Sequence, residues 1–162
     1  MRQRVYLKFL ISVYLVNFIL PLMLYAEEKS RLYDKQTIYV PAYSHIYFGN
    51  IEKPFLLTIT LSIRNIDPNH PVTIAVVDYY ESQGERIKKL MAKPINLGPL
   101  ESLRYVIPEK DKSGGSGANF LVEWESDISI NPPNVETIMI GTRNQQGISF
   151  KSRGRPILPT KF

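Results

Sequence analysis

The segment "FLLTITLSIRN", Phe55 to Asn65, alternates apolar and polar residues with a period of two. Phe55, Leu57, Ile59, Leu61 and Ile63 fall on one side, and Thr58, Thr60, Ser62 and Arg64 on the other. A helix would spread both sets around its circumference, whereas a strand sends successive side chains to opposite faces. The pattern therefore predicts a strand with one buried side, in a sheet whose other side meets solvent.

The same period recurs along the chain. "ANFLVEWES" sets Phe120, Val122 and Trp124 against Leu121, Glu123 and Glu125, and Leu103, Tyr105 and Ile107 alternate after a Gly-Pro corner. "VTIAVVDYYES" is apolar on both faces at its centre and predicts a central strand, while "ERIKKLMA" reads as a polar strand or a short helical piece. In "TIYVPAYSHIYF", Pro41 favours an edge strand or a bulge. "INPPN" is neither helix nor central strand, because Pro132 and Pro133 carry no amide donor. Twelve prolines and nine glycines punctuate these runs, and ten tyrosines with seven phenylalanines suit strands. About seven or eight short strands with a turn signal every eight to twelve residues predict an all-β chain, an immunoglobulin-like β-sandwich.

The first 26 residues are of another kind. Arg2, Arg4 and Lys8 precede an uncharged run from Phe9 to Tyr25, and Ala26 is followed by "EEKS". A basic start, an apolar core and a small residue before acidic ones make up a secretory signal peptide with a hydrophobic helix. A retained anchor is the alternative, since a run of roughly 17 residues is at the lower limit for crossing a bilayer. Both place the remainder outside the cytoplasm, in the periplasm or cell envelope. The expected organisation is a leader over 1–26, a polar linker over 27–36, one sandwich domain over 37–155 and a basic tail over 156–162.

Charge and cysteine content narrow the function classes. Setting aside the three basic residues of the leader lowers the net charge from +5 to +2, so the pI of 9.4 gives little support for nucleic-acid binding. The remaining asymmetry is local: no acidic residue follows Glu136, whereas Arg143, Lys151, Arg153, Arg155 and Lys161 do. That basic end is either solvated surface or a contact for anionic lipid or polysaccharide. With no cysteine, disulfides, a Cys nucleophile and Cys-ligated metals are all excluded. Stability must come from an apolar core.

The stretch "DKSGGSGANFLVEW" invites a chemical reading. A phosphate-binding loop needs glycines that open a helix, so that helix amides meet the phosphate. Here a strand pattern follows and no Lys-Ser/Thr pair does. Ser116 in "GGSGA" also resembles a nucleophile elbow, but that motif again needs a helix and a general base. His45 and His70 are the only histidines, and neither has a positional claim on Ser116. The plain reading is a glycine corner between strands, with positive φ at some positions. The remaining functional one is a nest of exposed amides over Ser113, Gly114, Gly115, Ser116 and Asn119 that binds a small anion.

A second candidate is the strip of Tyr39, Tyr43, His45 and Tyr47, which share a face at period two and could stack a sugar or hold a peptide. As half-buried core, the same rings would be structural. Arg153 is a further candidate contact. Two histidines make a zinc site a weak reading, and no metal or cofactor is expected. Glu123 and Glu125, about 7 Å apart along a strand, could mean glycoside chemistry or calcium; flanking an inward Trp124, they read as solvent-facing. Asp78, inside the central strand, calls for a hydrogen bond from a neighbouring turn.

Taken together, "YVPAYSHIY", "LTITLSIRNIDPNHPVTI", "SGGSGANFLVEW" and "MIGTRNQQGISFKSRG" resemble a family of bacterial exported proteins described only as a domain of unknown function. The resemblance runs from about Thr37 to Arg155 in order and spacing. It implies one compact domain in an extracytoplasmic location and carries no activity, substrate or catalytic residue with it. The expected function is thus binding in the cell envelope, with an envelope protein or a glycan as partner and no nucleic acid. The membrane enters only through an uncleaved leader. A small-ligand or glycan-binding module is the alternative, and a serine- or carboxylate-based hydrolase the weaker third.

Overall fold

Sheet pairing begins where the polar N-terminal segment was expected to be linker. In the computed structural model, residues 31–48, 51–143 and 145–157 are described, and the predicted leader lies outside them. Strand β1 runs Tyr33–Pro41 and pairs with Asn119–Ile130 from Tyr33 onward. Asp34, Lys35 and Gln36 look like linker by composition, but a ladder is made by backbone groups and tolerates polar side chains at a solvated end.

Twelve strands are present among the described residues, where turn spacing predicted seven or eight. The surplus consists of short pieces whose composition carries little period-two signal. After β1 come β2 (His45–Phe48), β3 (Ile51–Leu56), β4 (Thr58–Arg64) and β5 (Val72–Tyr80). β6 (Arg86–Lys89), β7 (Ile95–Leu97), β8 (Ser102–Ile107), β9 (Asn119–Ile130), β10 (Asn134–Arg143), β11 (Gln146–Arg153) and β12 (Arg155–Ile157) complete them. The protein is all-β: its helical content among the described residues is one 3₁₀ turn at Gly115–Gly117.

The strands form two large open sheets and a hairpin. One sheet has the order β12-β1-β9-β5-β6, with β7 also paired to β5; the other has the order β11-β10-β4-β8. β2 and β3 pair only with each other. Every strand pair is antiparallel. The polar "ERIKKLMA" piece contributes the edge strand β6.

One apolar cluster is fed by both large sheets. Ile38, Val40, Ile74, Val77, Phe120, Val122 and Trp124 come from the first, and Ile59, Leu61, Ile63, Val135 and Met139 from the second. The period-two reading of "FLLTITLSIRN" holds, since Phe55, Leu57, Ile59, Leu61 and Ile63 are all buried, although Leu57 separates β3 from β4. Phe120, Val122 and Trp124 are buried while Glu123 and Glu125 are exposed. At about 25 cal/mol per Å² of apolar surface removed from water, this cluster does the stabilising work that disulfides would do elsewhere.

The chain end is sheet as well. Arg155–Ile157 pairs with Thr37–Tyr39, so the predicted tail begins inside the first sheet. Pro156 is tolerated because β12 is an edge strand and its missing amide breaks no inner ladder. Between β11 in one sheet and β12 in the other stands Gly154. Its amide donates to the Val135 carbonyl at 2.8 Å, and a Cβ there would come 2.5 Å from Ile38 Cγ2. The crossing passes so close to the core that only glycine fits.

Candidate functional site

The glycine corner is tied to the rest of the fold by several hydrogen bonds. Gly114 is buried, and a Cβ on it would fall 1.9 Å from Tyr79 Oη. Gly115 has φ +74°, a left-handed conformation that costs an L side chain energy. Ser82 Oγ donates to the Gly114 carbonyl at 3.1 Å and accepts from the Gly117 amide at 2.9 Å. The Gly115 amide is taken by the Lys112 carbonyl at 3.2 Å, and its own carbonyl accepts from the Ser44 amide at 2.9 Å. The Ala118 carbonyl accepts from Ala42 at 2.8 Å. The Gly115 amide of the expected anion nest, and the Gly117 amide beside it, therefore already have partners inside the protein.

Ser44 is the hub behind this corner. Fully buried, it also accepts from the Leu57 amide at 3.0 Å and shares a 3.0 Å hydroxyl–hydroxyl bond with Tyr79. Tyr79 stacks on Phe120 with ring centroids 4.8 Å apart, and burial pushes its phenol above the ordinary tyrosine value. Ser44, Ser82 and Tyr79 were not singled out in the sequence. The only available signal was a small polar residue amid the aromatic run "AYSHIY".

Ser113 belongs to the approach to the corner, where its amide and hydroxyl both bond Asp111 Oδ1, at 3.1 and 2.6 Å. Burial opposes charge on Asp111, but the bonds from Lys88 and Ser113 outweigh it and hold the carboxyl below the ordinary carboxylate range. Ser116 is exposed on the 3₁₀ turn, and Asn119 opens β9 opposite Pro41 and Tyr80. Both histidines are bonded elsewhere: His45 Nε2 to Tyr47 Oη at 3.1 Å, and His70 Nδ1 to Asp67 at 3.1 Å.

The aromatic strip does not stay in one line. β1 ends at Pro41, the chain bends at Ser44, and β2 restarts at His45 in a different sheet. His45 and Tyr47 remain together edge to face, with centroids 5.2 Å apart. Tyr43 instead meets Phe150 of β11 edge-on at 5.7 Å, and Tyr39 lies on β1 between Leu121 and Arg155. Period two fails here because it presumes one uninterrupted strand.

Asp78 finds its partner in Arg86 Nη1, at 2.9 Å across the β5–β6 hairpin, and not in a turn. The tightest carboxylate cradle was missed. Asp67 is buried and accepts from the amides of Asn69 and His70 at 3.0 Å each, and from the amide and side chain of Asn131 at 3.1 Å each. Those bonds, the Asn69 amide first, drive its carboxyl well below the ordinary range. Asn65 braces the same turn, its Nδ2 donating to the carbonyls of His70 and Gly98 at 2.8 and 2.9 Å. "NIDPNH" is thus a turn locked from inside.

Arg153 points to a different surface. Antiparallel partners share a face, and Arg153 is opposite Glu136, which is opposite Ser62, which is opposite Arg104. This row crosses the outer side of the four-stranded sheet. Glu136 is buried at 7 % exposure, with Arg64 Nη2 at 3.8 Å from one oxygen and Lys151 Nζ at 3.6 Å from the other. Arg64 Nε also donates to Ser62 Oγ at 3.1 Å. Val106 and Ile140 stand exposed on the same side, and a cleft of about 820 Å³ lined by Ser62, Arg64, Leu100 and Arg104 borders it. Of the ten predicted site residues, only Arg153 is placed on this face.

Two open antiparallel sheets sharing one core put the chain in a broad class of all-β proteins. The profile of the family described as "Protein of unknown function (DUF3124)" matches residues 35–157, and the chain belongs to that family. No curated protein matches it. A solved structure described as "Crystal Structure of Thermotoga maritima 1070" is 11 % identical with a TM-score of 0.42, covering 74 % of this chain and 92 % of its own.

Proposed function

We propose that the protein is an exported, non-catalytic binding protein of the cell envelope whose domain is an immunoglobulin-like β-sandwich. The sandwich reading rests on two antiparallel sheets that feed a single apolar cluster. Export to the periplasm or envelope rests on the leader sequence. A binding role is carried by one observation: the outer side of the four-stranded sheet presents Arg104, Arg153, Val106 and Ile140 to solvent, while the polar groups of the glycine corner bond one another. A hydrolase built on Ser116 lacks support, because a serine nucleophile needs a base within hydrogen-bond reach and both imidazoles are bonded to other residues.

A thermal-shift screen of the full chain against glycans, anions, vesicles and envelope extracts tests the binding role. A ligand that raises the melting temperature supports it; a flat curve for every class refutes it. Intact mass after export checks the leader, with loss of residues 1–26 as the expected result. A second reading, a glycan module centred on the aromatic pair, is favoured by the 53 % exposure of Tyr47 beside His45. Tyr43→Ala and Tyr47→Ala variants that keep full glycan binding would remove it.

A further inference from the structure

We infer that the outer side of the four-stranded sheet binds a linear, carboxylate-bearing polysaccharide; this rests on the binding role proposed above. Four cations, Arg64, Arg104, Lys151 and Arg153, surround the single carboxylate of Glu136. The excess of positive charge selects an anionic partner. The arrangement also selects its shape. Arg64 and Lys151 already converge on Glu136, so the point where a small phosphate or carboxylate would gather several cations is filled. The outer pair, Arg104 and Arg153, stand three strand spacings apart, about 14 Å backbone to backbone. One small anion cannot meet both, but anions repeated along a chain can.

What lies between the cations favours sugar over lipid or protein. Ser62 and Glu136, both buried and bonded to Arg64, form the floor between Arg104 and Arg153, and Thr60, Ser102 and Ser149 lie on the same face around them. The hydroxyls of Thr60, Ser102 and Ser149 pair with the hydroxyls of a polysaccharide and offer nothing to an acyl chain. Val106 and Ile140 are shorter than the arginines around them, so a membrane would meet the guanidinium groups before the aliphatic side chains. Four strands of about seven residues present roughly 400 Å², half of what a stable protein partner covers on each side.

The probe is polygalacturonate, titrated into the full chain at low salt, with neutral dextran and phosphatidylglycerol vesicles as parallel arms. We expect retention by polygalacturonate alone, weakened by added salt as charge is screened, and weakened tenfold or more in the R104A/R153A double variant. Neither guanidinium makes an ion pair among the described residues, so an unchanged melting temperature will show that the variant is folded. Equal binding to dextran, capture by vesicles but not by the polymer, or full binding by the folded double variant would each overturn the inference. If polygalacturonate fails while another ligand raises the melting temperature, only this inference falls. If every class leaves the curve flat, the binding role falls with it.

Discussion

The glycine corner and the outer side of the four-stranded sheet invite opposite first impressions. The corner carries three glycines and two serines within five residues, Ser113 to Gly117, and looks reactive. In the fold, the amides of Gly115 and Gly117 and the hydroxyl of Ser82 bond to groups within the protein. The sheet face looks like ordinary solvent-side decoration of a strand, yet it gathers cations from β4, β8 and β11 around one buried acid. The difference is one of hydrogen-bond accounting. Where a buried polar group is satisfied internally, it holds the fold; where charged groups project together into solvent, a partner can still be recognised.

The comparison breaks most readily at Gly114. A Val there places its Cβ against the fully buried Tyr79 ring, and we expect Gly114→Val to cost about 3 kcal/mol of stability, read from chemical denaturation. A loss under about 0.5 kcal/mol would mean that the corner is looser than its bonds imply. Next is Tyr79→Phe, which strips the hydroxyl partner from buried Ser44 and should cost about 1 kcal/mol.

Acid sharpens the same contrast through Asp67. Its folded pKa is depressed, so its contribution is complete above the ordinary carboxylate value of 3.8 and fades as pH falls below that value. We expect the acid limb of the stability profile to flatten in Asp67→Asn, measured by denaturation at stepped pH. The smallest stability effect belongs to the face. Arg104→Ala with Arg153→Ala should stay within about 0.5 kcal/mol of the parent, although it removes the outer cations.

The strands that carry the core were legible in the sequence because alternation reports burial directly. Phe55 to Ile63 and Phe120 to Trp124 needed nothing else. The short polar strand Arg155–Ile157 was not legible as sheet, and Arg86–Lys89 was legible only as a strand or a helical piece, since such pairing is made by backbone groups that composition does not record. The same limit separated Tyr39 from His45: a bend at Ser44 resets the period that had joined them. Arg153 could be nominated from charge, but Arg104 and Glu136 could not be joined to it. Their meeting depends on the register of β8, β4, β10 and β11, and register is a long-range property.

One titration sets the two regions against each other. The affinity of the full chain for polygalacturonate is measured beside Ser116→Ala at the corner and the double arginine variant on the face. A sheet face that recognises the polymer predicts parental affinity for Ser116→Ala and a loss of tenfold or more for R104A/R153A. Weakened binding in Ser116→Ala with the arginine variant unaffected would contradict it.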